Sequence, residues 1–365
     1  MRNATLLLVF GLVTLAGCSD SSGAELRAIA GAAIVDVVMG DRDADAIFIY
    51  YDALGGPAFG RAPDVVLDNN VNKPRTIDIV NNRLFVGNLD NDDVVIWNDF
   101  LGLVDGQAPD VILTSSINKP SDLQVLNNDL YVTSQDNNEV LIFRDVTTLT
   151  TGDAPDVILS GIADPIGLAV TGTQLFVPTG FGDEVHIFNN PGGLTTGATA
   201  DVILDLDPTD TTNIEARRAF VLSNTLYITT AFEDKVWAFR PANAITAGQA
   251  PAFVLGGPST LQGVLAVTEV GGRLFVGSRD SDHFSIVGFN NPATLVTGNS
   301  PSVKLFESRV EELDSAAGTL WAISDSADFV FGFLNPGTLQ NSSFPDIAFY
   351  DPRMQSPKAL RAVVR

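Results

Sequence analysis

The feature that most constrains this chain is a repeat. Pro63-Asp64-Val65-Val66-Leu67 returns as Pro109-Asp110-Val111-Ile112-Leu113 and again as Pro155-Asp156-Val157-Ile158-Leu159, 46 residues apart both times. Weaker copies follow at Asp201–Leu204, Phe253–Leu255, Ser302–Leu305 and Pro345–Phe349, so seven landmarks run through the chain. A fixed period of this length is the mark of one supersecondary unit stacked against copies of itself.

Three further segments recur between the landmarks, as in Pro120–Val125, Leu130–Val132 and Glu139–Phe143. Each is short, rich in β-formers and alternates at period two, with Asn127-Asn128 and Asp136-Asn137-Asn138 as turns. With the landmark as a fourth strand, each copy reads as a four-stranded antiparallel blade, and seven copies make an all-β, seven-bladed β-propeller. The register is consistent. First-to-second strand anchors lie seven residues apart, as in Ile77 to Leu84 and Leu313 to Leu320, and second-to-third anchors eight, as in Val86 to Val94; the sixth copy needs ten, from Val276 to Ile286. Val37–Tyr50 supplies strands two to four of the first blade, and Pro357–Val363 matches the first-strand segment Pro74–Val80. The C-terminal strand is therefore expected to close the ring by joining the N-terminal blade.

The pattern Pro-x-x-Leu-x-Val, Leu-Tyr-Val and Asn-x-Val-x-Ile-Phe in Pro120–Phe143 resembles the NHL-repeat β-propellers, over roughly residues 34–364. That resemblance implies the fold and leaves the chemistry open, since such propellers include protein-binding, RNA-binding and lyase members. The related lyases use histidines at the ring entrance, and this chain has two His in all.

At the N-terminus Arg2 precedes an apolar run from Ala4 to Ala16, too short to span a bilayer but suited to a signal peptide. It ends in Leu15-Ala16-Gly17-Cys18, which resembles the lipobox of bacterial lipoproteins, and Cys18 is the chain's one cysteine. The resemblance implies cleavage before Cys18, diacylglyceryl transfer to its thiol and acylation of the new amine, a permanent anchor. The expected organisation is a signal peptide over 1–17, a lipidated cysteine and flexible tether over 18–27, and the propeller over 28–365. Ser19 stands where the inner-membrane retention pattern has Asp, so the outer membrane is favoured if the cell has two.

Composition narrows the partners. Lys and Arg number 21 against 44 Asp and Glu, a formal net charge of −23, which disfavours nucleic acid. One Cys and two His leave no disulfide framework and no multi-Cys zinc site. Asp41–Asp45 and Asp90–Asp93 resemble the start of a calcium loop, yet Ala46 and Asp52 stand where Gly and Glu are required. Turn chemistry is the plainer reading of these acids. No cofactor is implied; calcium is the one ion such turns would take. His186 reads as a strand residue, and His283 in the expanded turn as the better functional candidate.

The informative signal is where the repeat breaks. Fourth-to-first strand connections run ten residues between anchors in Leu67 to Ile77, but fifteen in Leu204 to Ala219 and twelve in Leu255 to Val267. Together with the expanded turn at 279–285 they belong to blades five and six, and both loop types should emerge around one mouth of the central channel. Phe181 and Phe232 replace the acids found at Asp43, Asp90 and Asp136. A mouth with exposed aromatics beside Arg217 and Arg218 has the composition of a recognition surface. The alternative is that both rings fold down over their blades as apolar plugs.

The sequence thus points to a lipid-anchored envelope propeller that binds a protein, peptide or glycan. Phe181 and Phe232 would be apolar anchors; Arg217, Arg218 and Arg279 would supply charge-assisted bonds; Asp207, Asp210, Glu215, Asp282 and His283 would complete the rim. The other reading is a divalent-cation-dependent lyase or hydrolase with carboxylates converging on the same mouth.

Overall fold

The computed structural model describes residues 33–207, 214–256, 261–279, 285–305 and 309–365. They form seven separate sheets, each of four antiparallel strands. The first hairpin of most blades turns on two consecutive residues in the left-handed region, Asn81-Asn82 (φ 51° and 60°), Asn127-Asn128 (52° and 65°) and Ser223-Asn224 (46° and 58°) among them. Asn tolerates that conformation, and the resulting turn matches the twist of the strands. The ring closes as expected: Pro357–Val364 pairs antiparallel with Val35–Asp41, from Val35 opposite Val364 to Gly40 opposite Ala359. Blade 1 is thus built from both ends of the described chain.

The apolar core lies between blades. Seven clusters of buried side chains each draw on two neighbours, such as Val38, Ile49 and Leu67 of blade 1 with Ile77, Val86 and Trp97 of blade 2, and Trp321 and Val330 of blade 7 with Phe48 and Tyr50 of blade 1. A middle strand such as Asp93–Trp97 is therefore buried on both faces.

The landmark motif is a set of staples. The Asp of Pro-Asp-Val accepts the backbone N–H just past the third strand at 2.7 Å in five blades, Asp64 from Tyr51, Asp110 from Asn98, Asp156 from Arg144, Asp201 from Asn189 and Asp346 from Leu334. On the same side, the glycine of the Leu-x-x-Gly loop in blades 2 to 4 binds the fourth strand of the preceding blade: Gly106 N–H donates to Val66 O at 2.9 Å, Gly152 to Ile112 O at 2.9 Å and Gly197 to Ile158 O at 3.0 Å. These glycines have φ of 67°, 88° and 83°, where a side chain would strain the backbone.

Every inner strand also carries one residue more than its partner. Thr76 and Pro74 flank an unpaired Arg75, Arg218 and Ala216 flank Arg217, Ala266 and Val264 flank Leu265, and Glu312 and Val310 flank Glu311. Lys358 is the extra residue in blade 1, Ser121 and Asp122 stand opposite Thr133 in blade 3, and blade 4 has the same excess between Pro165 and Ala169. A β-bulge re-aims side chains. In blades 2, 3, 5 and 7 it sets two successive polar residues near the channel, Arg75-Thr76, Ser121-Asp122, Arg217-Arg218 and Glu311-Glu312.

Candidate functional site

The second-to-third strand turns and the runs into the inner strands meet on one face. They enclose a mouth cavity of about 500 Å³ lined by Arg42, Arg75, Phe181, Glu215, Arg217, Phe232, Arg279 and Lys358, among others. Phe181, Phe232, Arg217, Arg279 and Glu215, chosen from the sequence, are thus brought together. They come from blades 4, 5 and 6.

The repeats provide an internal control for the two phenylalanines. In blades 2 and 3 the connection residue Lys73 forms an ion pair with the turn residue Asp90, and Lys119 with Asp136. The equivalent connection residues are fixed by a bond that recurs around the ring: Leu89 N–H donates to Lys73 O, Gln135 to Lys119 O, Gly180 to Asp164 O and Ala231 to Glu215 O. In blades 4 and 5 the Lys/Asp pair has become Asp164/Phe181 and Glu215/Phe232. Both members changed in two adjacent blades. The rings do not fold down as plugs, since Phe181 is 76% and Phe232 70% exposed. Two bare rings over one cavity form an exposed apolar edge.

Charge fills the rest of the mouth. Arg217 Nε donates to Glu215 Oε1 at 2.7 Å, and Arg279 Nε lies 3.0 Å from Glu311 Oε1. Beneath them the buried Lys358 Nζ donates to Glu311 Oε1 at 2.7 Å and to Asp325 Oδ2 at 2.8 Å. Burial acts to raise the Glu311 carboxyl, but Lys358 and its neighbours hold it down to about 2, while burial and Glu311 push Asp325 up. The structure places Arg218 deeper than the rim: 9% exposed, it faces the channel and binds Glu312 Oε2 at 2.5 Å. The channel below is a cavity of about 300 Å³ lined by the inner strands, with Arg75, Asp78, Asp122, Arg218, Glu312, Asp314 and Arg361 as its charges. Arg361 pairs with Asp78 at 2.8 Å. Burial pushes the carboxyls of Asp122, Glu312 and Asp314 up. Gly167 permits this geometry, because a Cβ there would lie 2.6 Å from the carbonyl oxygen of Arg217.

Asp207 lines a neighbouring cavity behind Phe181, with Asp183, Asp205 and His186. His186 lies on the third strand of blade 4, half-buried and 3.3 Å from Glu184. Asp210, Asp282 and His283 lie outside the described residues. Sequence reasoning passed over Arg75, Lys358, Glu311 and Glu312. Their signal was available: charged residues inside first strands, between the opening position and the apolar anchor.

Several acids of the turns are engaged with backbone. Asp45 Oδ1 accepts from Lys73 N–H at 2.8 Å, Asp92 from Lys119 at 2.8 Å, Asp183 from Ile214 at 2.7 Å and Asp234 from Gly263 at 2.7 Å, each tying a turn to the next blade. Asp41 accepts from Ala44 at 2.9 Å and, across the seam, from Gln355 at 2.7 Å. Among the described residues no group of three or more His, Cys, Asp and Glu is placed to hold a metal ion.

Fold and site together define a seven-bladed β-propeller with a charged channel and an aromatic-edged mouth. Comparison of the sequence with protein families and with curated proteins gives no match. Solved structures similar in fold include a candidate 6-phosphogluconolactonase from Bacteroides fragilis NCTC 9343, at 11% identity and a TM-score of 0.67 over 91% of this chain and 98% of that one. A second candidate 6-phosphogluconolactonase, from Bacteroides uniformis ATCC 8492, has 11% identity and a TM-score of 0.59 over 90% and 99%. The WD40 propeller domain of Doa1 follows at 8% identity and 0.55 over 80% and 86%. At these identities the likeness is one of fold.

Proposed function

We propose that this chain is a lipid-anchored, NHL-type envelope propeller that acts as a binding module, taking a protein or peptide partner on the channel mouth of blades 4 to 6. The observation that carries this reading is the paired loss of the surface ion pair in two adjacent blades, which leaves Phe181 and Phe232 exposed over one cavity with Arg217 and Arg279. Aromatic and arginine side chains concentrate binding energy at interfaces, and the loop face of a rigid scaffold is where repeat proteins place their ligands. The lipobox-like Leu15–Cys18 supports tethering through Cys18 to the membrane, the outer one where there are two. The metal-dependent alternative needs carboxylates free to converge, and the turn acids Asp45, Asp92 and Asp234 are bonded to backbone amides while Asp43, Asp90 and Asp136 are paired with arginine or lysine.

Proximity crosslinking in intact cells followed by mass spectrometry tests the proposal, with the native chain compared to one carrying Phe181→Ala, Arg217→Ala and Phe232→Ala. A specific partner should be captured by the first and lost from the second. A partner kept equally by both would overturn the assignment of the mouth.

A further inference from the structure

The binding role leaves the chemistry of the ligand open, and any assignment of that chemistry rests on the binding role being right. On a chain of formal net charge −23, the mouth gathers five cations, Arg42, Arg75, Arg217, Arg279 and Lys358, against the lining acids Asp164 and Glu215. Four of the five have carboxylates of their own. Arg42 Nε donates to Asp43 at 2.7 Å, Arg217 Nε to Glu215 at 2.7 Å and Lys358 Nζ to Glu311 at 2.7 Å, and Arg279 Nε lies 3.0 Å from Glu311.

Arg75 differs. It is the bulge residue of blade 2, half-buried, and lines both the mouth and the channel below. Among the described residues no hydrogen bond or ion pair reaches its guanidinium. Burial, then the nearby Arg218, push its pKa down to about 10. A guanidinium offers five donors in a planar fork, and withdrawing it from water without an acceptor is unfavourable. Such a fork in the wall of a binding mouth is complete only when an acceptor comes from outside.

The surroundings select the acceptor. Glu311 and Glu312 act electrostatically on Arg75, which favours a single negative charge over a dianionic phosphate. A carboxylate fits the fork bidentately. The rings of Phe181 and Phe232 bring apolar area without a hydrogen-bonding tip, which suits an apolar side chain better than a sugar rich in hydroxyls. At physiological ionic strength screening acts over about 8 Å, so the local cations outweigh the distant net charge.

We infer that the mouth binds a peptide bearing an acidic side chain beside an apolar one, the carboxylate pairing with Arg75 and the apolar group packing on Phe181 and Phe232.

The test uses the full chain and a dye-labelled, capped Gly-Glu-Phe-Gly peptide, read by fluorescence anisotropy beside its Gln counterpart, with inorganic phosphate and glucuronate as competitors. The Glu peptide should bind the wild-type protein about tenfold more tightly than the Gln peptide. Arg75→Gln should erase that difference while melting no lower than wild type, since it removes an unpartnered, desolvated charge. Equal binding of the two peptides, no binding of the Glu peptide at millimolar concentration, or displacement by phosphate or glucuronate at concentrations matched to the peptide would overturn the inference. The captured cellular partner separates the two levels. If it is lost with Phe181→Ala and Phe232→Ala but fully kept with Arg75→Gln, the acidic-peptide inference falls and the binding role stands; if all three variants keep it, the binding role falls as well.

Discussion

Phe181 and Phe232 sit where blades 2 and 3 hold a lysine-paired acid, and their exposure of 76% and 70% means that the fold does not depend on them. Replacing both with Ala should change stability by less than about 0.5 kcal/mol, as for other surface positions, while removing the partner; thermal melting alongside the capture assay checks both halves. Lys358 is the opposite case. Truncation to Ala would leave the buried Glu311 and Asp325 with only the rim arginines Arg279 and Arg309, a loss of about 2–4 kcal/mol readable by denaturant unfolding. Both phenylalanines were legible in the sequence because seven copies of one unit reveal a departure by contrast. Arg75 was not: Lys358, Arg217 and Glu311 are also charged at its equivalent position, so its charge did not stand out, and only the structure separates an arginine with a carboxylate partner from one without.

Strands, turns and ring closure were legible for a related reason. Alternation at period two and fixed anchor spacings report backbone geometry directly, and the match of Pro357–Val363 to Pro74–Val80 carried the closure that the pairing of Pro357–Val364 with Val35–Asp41 bears out. The bulge escaped notice because every blade has it, and a feature common to all copies yields no contrast. It nevertheless decides which side chains reach the mouth and the channel, as Arg217 and Arg218 do one after the other. The seam strand gives a prediction at this scale. Removing residues 357–365 uncovers the backbone of Val35–Asp41 and strips blade 7 of a neighbour, so the truncated chain should lose cooperative unfolding and self-associate. A sharp two-state transition in a monomeric truncated protein would contradict this role for the seam strand.

For the whole molecule, acidic groups of two kinds set the response to pH. Burial raises the carboxyls of Asp36, Asp93 and Asp328 to about 6, above the ordinary 3.8, so their protonated forms are favoured in the fold and stability is gained as pH falls through 6. Glu311 is held down to about 2 against an ordinary 4.5, so its contribution is present above 4.5 and is lost as pH falls toward 2. Relief of self-repulsion in a chain of net charge −23 adds to the first effect. Melting temperature should therefore rise as pH falls from about 7 to 4.5 and pass through a maximum between about pH 3 and 4.5, and a steady rise from about pH 5 to 8 would refute this balance. The proposed tethering adds a prediction of its own: Cys18→Ser should move the chain from the membrane fraction to the soluble one in cell fractionation. The central claim is that one face of the ring is the working surface. Phe344, 83% exposed on the opposite face, supplies a matched control. A photo-reactive phenylalanine analogue placed at 181, 232 or 344 in turn, and irradiated in intact cells, measures the claim most directly. One common crosslinked partner is expected from 181 and 232 and none of it from 344; the same partner from 344, or none from the two mouth positions, would contradict the claim.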